Sequence, residues 1–308
     1  MSRPNKGSRP SKPSKRGRKI TSIGFVVAGG NRRAATIAAH AAKWLRARGV
    51  EVRLPPASAR AVSLLEREGA HAEEAFSTDM VVALGGDGTF LAAARRAAET
   101  GVPVLGVNVG GLGFLTNVRH SELRPVLEAL LTGGFEVEHR DMLWVEVLRD
   151  RKCTWSASAL NDVVISKGAM ARLLHLDIDV GPAHVSTYAA DGIIVATPTG
   201  STAYSLSAGG PVVHPGVLAL LITPICPHTL YTRPLVLPAD ASLVIRVRPR
   251  GEEREEMAVT ADGQVSHPLT GRDLVKVGRC PQPVSMVKVP GADFYQKLKS
   301  KLHWGTSP

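Results

Sequence analysis

The sequence predicts two architectures in one chain: an N-terminal α/β domain with a parallel sheet, then an all-β, sandwich-like domain, with the last residues returning to the first. Three observations predict this. Up to about residue 135, short apolar runs alternate with stretches of helical spacing, the pattern of a parallel α/β domain. From about Phe135 the runs are short, β-rich and separated by turn signals. The closing stretch is again a strand and then a helix, which suits the first domain. A chain of 308 residues is long enough for about two cores.

The elements follow in order. A first strand over 20–28 (Ile23, Phe25, Val26, Val27) ends in Gly29-Gly30, and helical spacing over 32–48 closes at Gly49. Residues 50–54 read as a second strand, broken by Pro55-Pro56, and 59–68 as a short helix. Thr78-Asp79 lead into a buried strand over 80–84, which stops at Gly85-Gly86-Asp87-Gly88-Thr89 before helical character resumes over 90–98. A strand over 103–109 runs into Gly110-Gly111-Leu112-Gly113-Phe114, and 123–131 gives another helix. In open α/β sheets ligands sit at the carboxyl ends of strands, where both glycine loops fall. The β-rich part contains runs over 143–149, 159–166, 173–180, 187–196, 243–247 and 257–260. Turn signals at Gly181-Pro182, Pro249-Arg250-Gly251 and Asp262-Gly263 separate them, with one helical interruption over 203–208. A strand over 284–289 and a helix over 293–302 close the chain. The expected organisation is a disordered basic tail over 1–19, the α/β domain over 20–138, the β-rich domain over 139–280, and a C-terminal segment over 281–308 packing on the α/β domain.

The net charge of +11 is mostly local. Residues 1–19 carry eight Lys and Arg and no acid, leaving +3 for the rest. This Pro-, Ser- and Gly-rich tail has no apolar run and no aromatic to stack on bases, so it reads as a solvated extension; contact with nucleic acid is the less favoured reading. It lacks the apolar segment of a secretory signal, and no run reaches the ~18 apolar residues of a membrane helix. Cys153, Cys226 and Cys280 are odd in number and far apart, suggesting neither a disulfide framework nor a zinc site; a cytoplasmic location is expected.

The chemistry concentrates in three places. In the loop from Gly85 to Thr89, glycines let backbone N–H groups approach a phosphate, and the helix that follows adds a dipole favourable to negative charge. Asp87 inside it would repel phosphate, so proton abstraction or a Mg²⁺-related role explains it better; the plain alternative is a turn in which Asp87 caps the helix. The second place is Asp191-Gly192 followed by the run from Thr197 to Gly210, where hydroxyl side chains beside glycines suit a groove for a polar planar ligand. The third, Asn161-Asp162 at the start of a strand, reads as an Asx turn. GxxxxGK[ST], GxGxxG after the first strand, HExxH and GxSxG are absent, which excludes the matching P-loop and dinucleotide fingerprints and leaves a serine hydrolase built on Ser201 or Ser205 without support.

Taken together these residues resemble the bacterial NAD kinase (ATP-NAD kinase) family from about residue 20 to the end. The resemblance rests on Gly85-Gly86-Asp87-Gly88-Thr89, Asn108 to Asn117, Leu160-Asn161-Asp162, Asp191-Gly192, Thr197 to Gly210 and Asp262-Gly263-Gln264. It implies transfer of the ATP γ-phosphoryl group to the 2′-hydroxyl of the adenosine ribose of NAD, giving NADP, with a divalent ion such as Mg²⁺. Asp87 matches the family's base, and Gly85, Gly86, Gly88 and Thr89 its phosphate loop. Phe114 matches an aromatic beside the adenosine; Asn161, Thr199, Thr202, Ala203, Tyr204 and Ser207 match residues around the adenine. Asp162 matches an acid near the ribose, and Asp191 one facing the nicotinamide end. Gln264 falls in the last motif, and residues 222–233 match a loop on the nicotinamide side. Ala189 stands where bacterial relatives often carry a basic residue, which bears on the choice between NAD and NADH. The resemblance further implies NAD lying between the two domains of a homodimer or homotetramer. A lipid kinase shares the glycine loop but should lack the adenosine motifs, and a non-catalytic dinucleotide sensor would have no use for Asp87.

Overall fold

Met80–Gly85 is buried at every position, and its apolar run has partners on both sides: Ser22–Val27 and Val104–Asn108, both parallel to it. Fully apolar strands are those covered on both faces, as in parallel α/β sheets. In the computed structural model this sheet runs, edge to edge, Lys15–Arg16, Phe135–Arg140, Val284–Val287, Val104–Asn108, Met80–Gly85, Ser22–Val27 and Glu51–Arg53, with Val118–Arg119 also paired to Val104–Asn108. The described residues are 15–16, 19–54, 75–111, 113–133, 135–168, 173–248, 257–291 and 293–302. The expected helix over 59–68, Pro55-Pro56, the turn at Pro249-Arg250-Gly251, Leu112 and most of the tail lie outside them.

Contacts divide the chain into two units: Met1–Phe90 with Val102–His139 and Ser285–Pro308, and Leu91–Gly101 with Arg140–Val284. In the first unit the helix Arg32–Arg46 buries Ala34, Ala35, Ala38, Ala39, Ala42 and Leu45, the helical repeat of one apolar face. Asn31 starts it by accepting the Ala34 N–H at 3.0 Å. Leu123, Leu127 and Leu130 of Leu123–Gly133 join the same core. The C-terminal strand pairs parallel with Val104–Asn108 through Met286, so the end of the chain returns to this sheet.

The second unit is a sandwich of two six-stranded antiparallel sheets. One contains Asp162–Lys167, Gly192–Ala196 and Ala219–Ile225, the other Leu143–Arg149, Leu174–Val180 and Leu243–Arg248. Alternate residues point inward from both, among them Val145, Val147, Leu176, Ile178 and Ile245 facing Val163, Ile165, Ile193, Val195 and Ile222 in one core. The first sheet is also covered on its other face, where Val164, Ile194, Ala196 and Leu221 pack with Ala208 and Val213.

Three expectations change. Lys15–Arg16, placed in a disordered tail, forms a short strand antiparallel to Phe135–Arg140, because backbone pairing at a sheet edge does not depend on apolar side chains. The run over 187–196 is two strands, Ala183–Ala190 and Gly192–Ala196, which belong to different sheets and meet at Asp191. Helical structure begins at Asp87 rather than at residue 90, so Asp87 opens the helix Asp87–Thr100. Strands at Lys152–Ala159, Ala219–Ile225, Leu235–Pro238, Val265–Leu269 and Asp273–Arg279 were not anticipated; their polar or proline-containing sequences are strands because of what they pair with.

Candidate active site

In the first unit the glycine loop follows the central strand, and Gly86 and Gly88 are exposed, with no side chain to block an approaching anion. Asp87 does not cap its own helix. Its Oδ2 accepts the Phe114 N–H at 2.8 Å, and its Oδ1 accepts the Leu115 and Thr116 N–H groups at 3.1 and 3.2 Å and the Thr116 hydroxyl at 3.3 Å. The second glycine loop is therefore wrapped around this carboxylate. Gly113 shows how tightly: a Cβ there would lie 1.9 Å from Asp87 Oδ1. Buried Asn108 braces the same loop, donating to Gly111 O at 2.6 Å and Thr116 Oγ1 at 3.0 Å and accepting the Gly110 N–H at 2.7 Å. Lys297 adds a bond of 2.7 Å to the Phe114 carbonyl. Thr89 turns its hydroxyl back onto Gly85, where a Cβ would come within 2.2 Å of it.

In the second unit the turn 160–162 is held through its backbone. Asp262 accepts the Leu160 N–H at 3.0 Å, the Asn161 N–H at 2.7 Å and the Asp162 N–H at 3.3 Å, and its side chain, fully buried, pairs with Arg95 at 3.2 Å. Thr197 holds the carbonyl side, its hydroxyl donating to Leu160 O at 2.6 Å and its N–H to Asn161 O at 2.9 Å. The Asn161 side chain makes no Asx turn: its Oδ1 is buried without a partner among the described residues. The Asp162 carboxyl, 5% exposed, is pushed up to about 7 by burial and then by the nearby Asp262. Burial raises Asp262 too, with its N–H donors and Arg95 opposing the shift.

The run after Gly192–Ala196 crosses the covered face of its sheet. Thr199 is buried and accepts from Arg140 at 3.4 Å, and Gly200 lies against the turn 160–162, where a Cβ would meet Asn161 O at 2.1 Å. Ser201 and Ser205 are fully buried and bonded to Pro198, Val213 and Thr223, which explains them as braces rather than nucleophiles. Thr202 and Ala203 are half-buried, while Tyr204, Ser207 and Gln264 are exposed. Asp191 pairs with Lys167 at 2.8 Å. The sequence reading missed Arg95, Lys167 and the bracing roles of Thr197 and Asp262; Asp262-Gly263 carried the one available signal, since an Asp-Gly pair favours the left-handed backbone both residues take, at φ +53° and +62°.

A parallel α/β unit with an exposed glycine loop at a helix start, in one chain with a β-sandwich presenting unpartnered polar groups, defines a nucleotide-binding protein of the phosphoryl-transfer kind. Residues 23–135 match the ATP-NAD kinase N-terminal domain and residues 160–289 the ATP-NAD kinase C-terminal domain. The chain belongs to the ATP-NAD kinase family. It is similar to the NAD kinase of Symbiobacterium thermophilum, 47% identical over 258 residues covering 84% of this chain and 90% of that protein. It is also similar to that of Moorella thermoacetica, 44% identical over 264 residues covering 86% and 83%. Among solved structures it resembles yeast NADH kinase complexed with NADH, at a TM-score of 0.83 and 26% identity over 95% of this chain and 90% of that one. An NAD kinase from Archaeoglobus fulgidus in complex with ATP shares the fold, at a TM-score of 0.68 and 24% identity over 92% and 98%.

Proposed function

We propose that this chain transfers the γ-phosphoryl group of ATP to the 2′-hydroxyl of the adenosine ribose of NAD, giving NADP, with Asp87 as the general base. The reading is carried by the Asp87 carboxylate, locked at a helix start by three backbone N–H groups. Among the described residues Oδ2 takes only the bond from Phe114, so it keeps capacity to accept a hydroxyl proton. As the 2′-oxygen forms its bond to phosphorus, the bond from phosphorus to the bridging oxygen breaks, ADP leaves, and the hydroxyl proton passes to Asp87. Such a base contributes about 10²- to 10⁴-fold. Gly86 and Gly88 give the phosphates room, with Gly85 and Thr89 packed behind them. Phe114, Asn161, Asp162, Thr199, Thr202, Ala203, Tyr204, Ser207 and Gln264 would bind the adenosine half, and Asp191 the nicotinamide end.

No group of three or more His, Cys, Asp or Glu able to hold a metal ion is found among the described residues. A divalent ion, Mg²⁺ in this proposal, would instead arrive on the ATP phosphates, where it neutralises their charge. Assembly as a homodimer or homotetramer and a cytoplasmic location belong to the same proposal; no described helix is long and apolar enough to cross a membrane. Purified protein with ATP, Mg²⁺ and NAD should form NADP, and Asp87→Ala should lose nearly all of that activity. The absence of NADP, or an unimpaired Asp87→Ala, refutes the reading.

A further inference from the structure

We propose that Asp262, with Arg95 as its counter-charge, is a positioning residue that fixes the turn 160–162 so that the Asn161 amide and the Asp162 carboxyl are presented to the dinucleotide. This rests on the function proposed above. The argument is a complete account of the turn's polar groups. The N–H groups of Leu160, Asn161 and Asp162 all go to the Asp262 carboxylate. The carbonyls of Leu160 and Asn161 go to Thr197, and that of Asp162 accepts the Asp262 N–H at 2.9 Å. Every backbone group of the turn is thus paired, and most of the pairing runs through one side chain.

The side chains are the opposite case. Asn161 Oδ1 is buried with no partner, and no hydrogen bond reaches the Asp162 carboxyl among the described residues. A buried polar atom without a partner is costly, and a turn that served the fold alone would not keep one beside a buried carboxyl. A ligand offering hydroxyl and amine hydrogens to these acceptors supplies what the protein withholds. Asp262 reaches its place as the first central residue of the Asp-Gly hairpin turn 261–264, where both central residues take left-handed backbone (φ +53° and +62°) and the Gln264 N–H closes onto Ala261 O at 3.0 Å, so the hairpin delivers the carboxylate to the turn 160–162. Arg95, whose side chain is 15% exposed, opposes the upward push of burial on Asp262 and so favours the ionised form that accepts from three N–H groups at once.

The arrangement also couples charge to binding. Among the described residues, Asp262 is the charged group bearing on Asp162, and Arg95 is the ion-pair partner of Asp262. Asp162 accepts hydroxyl hydrogens best when ionised, so the KM for NAD rises as pH falls through the neutral range. Neutralising Asp262 removes the negative charge that favours a proton on Asp162 and moves this rise to lower pH. Removing the Arg95 cation leaves the Asp262 charge uncompensated and moves it to higher pH.

The test compares wild type, Asp262→Asn, Arg95→Met and Arg95→Lys in steady-state NADP formation from pH 5.5 to 8.5, with calorimetric NAD binding alongside. Asp262→Asn and Arg95→Met should raise the KM for NAD about tenfold or more, with the KM for ATP within about twofold. Their pH profiles should move in opposite directions, and Arg95→Lys should recover most of the loss. Should Asp262→Asn fold poorly, the two Arg95 variants carry the comparison. A parallel rise in both KM values, or pH profiles that do not separate, overturns the proposal. Wild-type turnover reports on the reaction itself, whereas the ratio of variant to wild-type NAD affinity by calorimetry reports on positioning, so failure of one is distinguishable from failure of the other.

Discussion

Replacing Asp162 by Asn should make the protein more stable at pH 8 while weakening its hold on NAD. The Asp162 carboxyl is 5% exposed and lifted from an ordinary carboxylate value to about 7, first by burial and then by Asp262. Its folded-state pKa is raised, so between about pH 4 and pH 7 the folded chain binds a proton that the unfolded chain has lost. Stability therefore falls as pH rises through that window, and above pH 7 the folded protein carries the full cost of a buried, unpaired charge. That cost is about 4 kcal/mol, at about 1.4 kcal/mol for each tenfold change in proton affinity. An amide of the same shape removes the charge. If half of the gain is lost to relaxation and to bonds the amide leaves unmade, about 2 kcal/mol remains, or roughly 4–8 °C in melting temperature for a unit of this size.

The assay is thermal unfolding of wild type and Asp162→Asn at pH 5, 6, 7 and 8 without nucleotide. The difference should be smallest at pH 5, early in the window through which the raised carboxyl costs wild type stability, and should open to its full value by pH 8. In the same preparation the KM for NAD should rise by at least about tenfold at pH 8, since a carboxylate accepting from hydroxyls is exchanged for a weaker acceptor. A variant less stable than wild type at pH 8, or a difference of the same size at pH 5 and pH 8, would refute the reasoning.

Gly113→Ala puts a methyl 1.9 Å from Asp87 Oδ1, so the loop 113–116 must move off the carboxylate, and kcat should fall by about tenfold or more; steady-state kinetics with both substrates saturating checks it. Gly200→Ala brings a Cβ within 2.1 Å of the Asn161 carbonyl and should raise the KM for NAD with little change in the KM for ATP, read from crossed substrate titrations. Lys167→Met leaves Asp191 without its partner; both side chains are partly exposed, at 26% and 34%, so the effect should stay below about 1 kcal/mol, or within fivefold, and appear in the ratio of activity with NAD to that with NADH.

The α/β half was legible because its signals are local. An apolar run bounded by glycines, as in Met80–Gly85, has few other solutions, and the alanine stripe of Arg32–Arg46 repeats at helical spacing. The β half was legible in kind but not in detail. Lys152–Ala159 carries polar residues on its outer face and Leu235–Pro238 ends in proline, so each is a strand only because a neighbour pairs with it. The change of sheet at Asp191 leaves no mark in composition, since the small and β-branched residues on either side suit both sheets. For the candidate site, the motifs marked the loops proposed above to carry the chemistry, but not which groups organise them. Asp262 lies a hundred residues or more from the N–H groups it accepts, and Arg95 is 167 residues from Asp262 in sequence; nothing in local spacing joins them.

Asp87 and Asp262 solve one physical problem in two settings. A loop that must receive a ligand cannot fill its concave side with its own side chains, so its backbone N–H groups need an acceptor placed behind it. A carboxylate suits this because one group accepts three or more hydrogen bonds, and charge-assisted bonds are the stronger kind. In the second unit this leaves Asp262 with no capacity to spare: three N–H groups and Arg95 surround it, and its side chain is sealed from solvent. The load on Asp87 is divided unevenly instead, with Oδ1 taking Leu115 and both donors of Thr116 while Oδ2 takes Phe114 alone. Asp87 as a residue is only partly buried. Anchoring through Oδ1 fixes the direction in which Oδ2 points, and fixed direction is what a base aimed at one hydroxyl requires. The two acids share a bonding pattern, and in the roles proposed above what separates positioning from proton transfer is which of them keeps an oxygen in reserve.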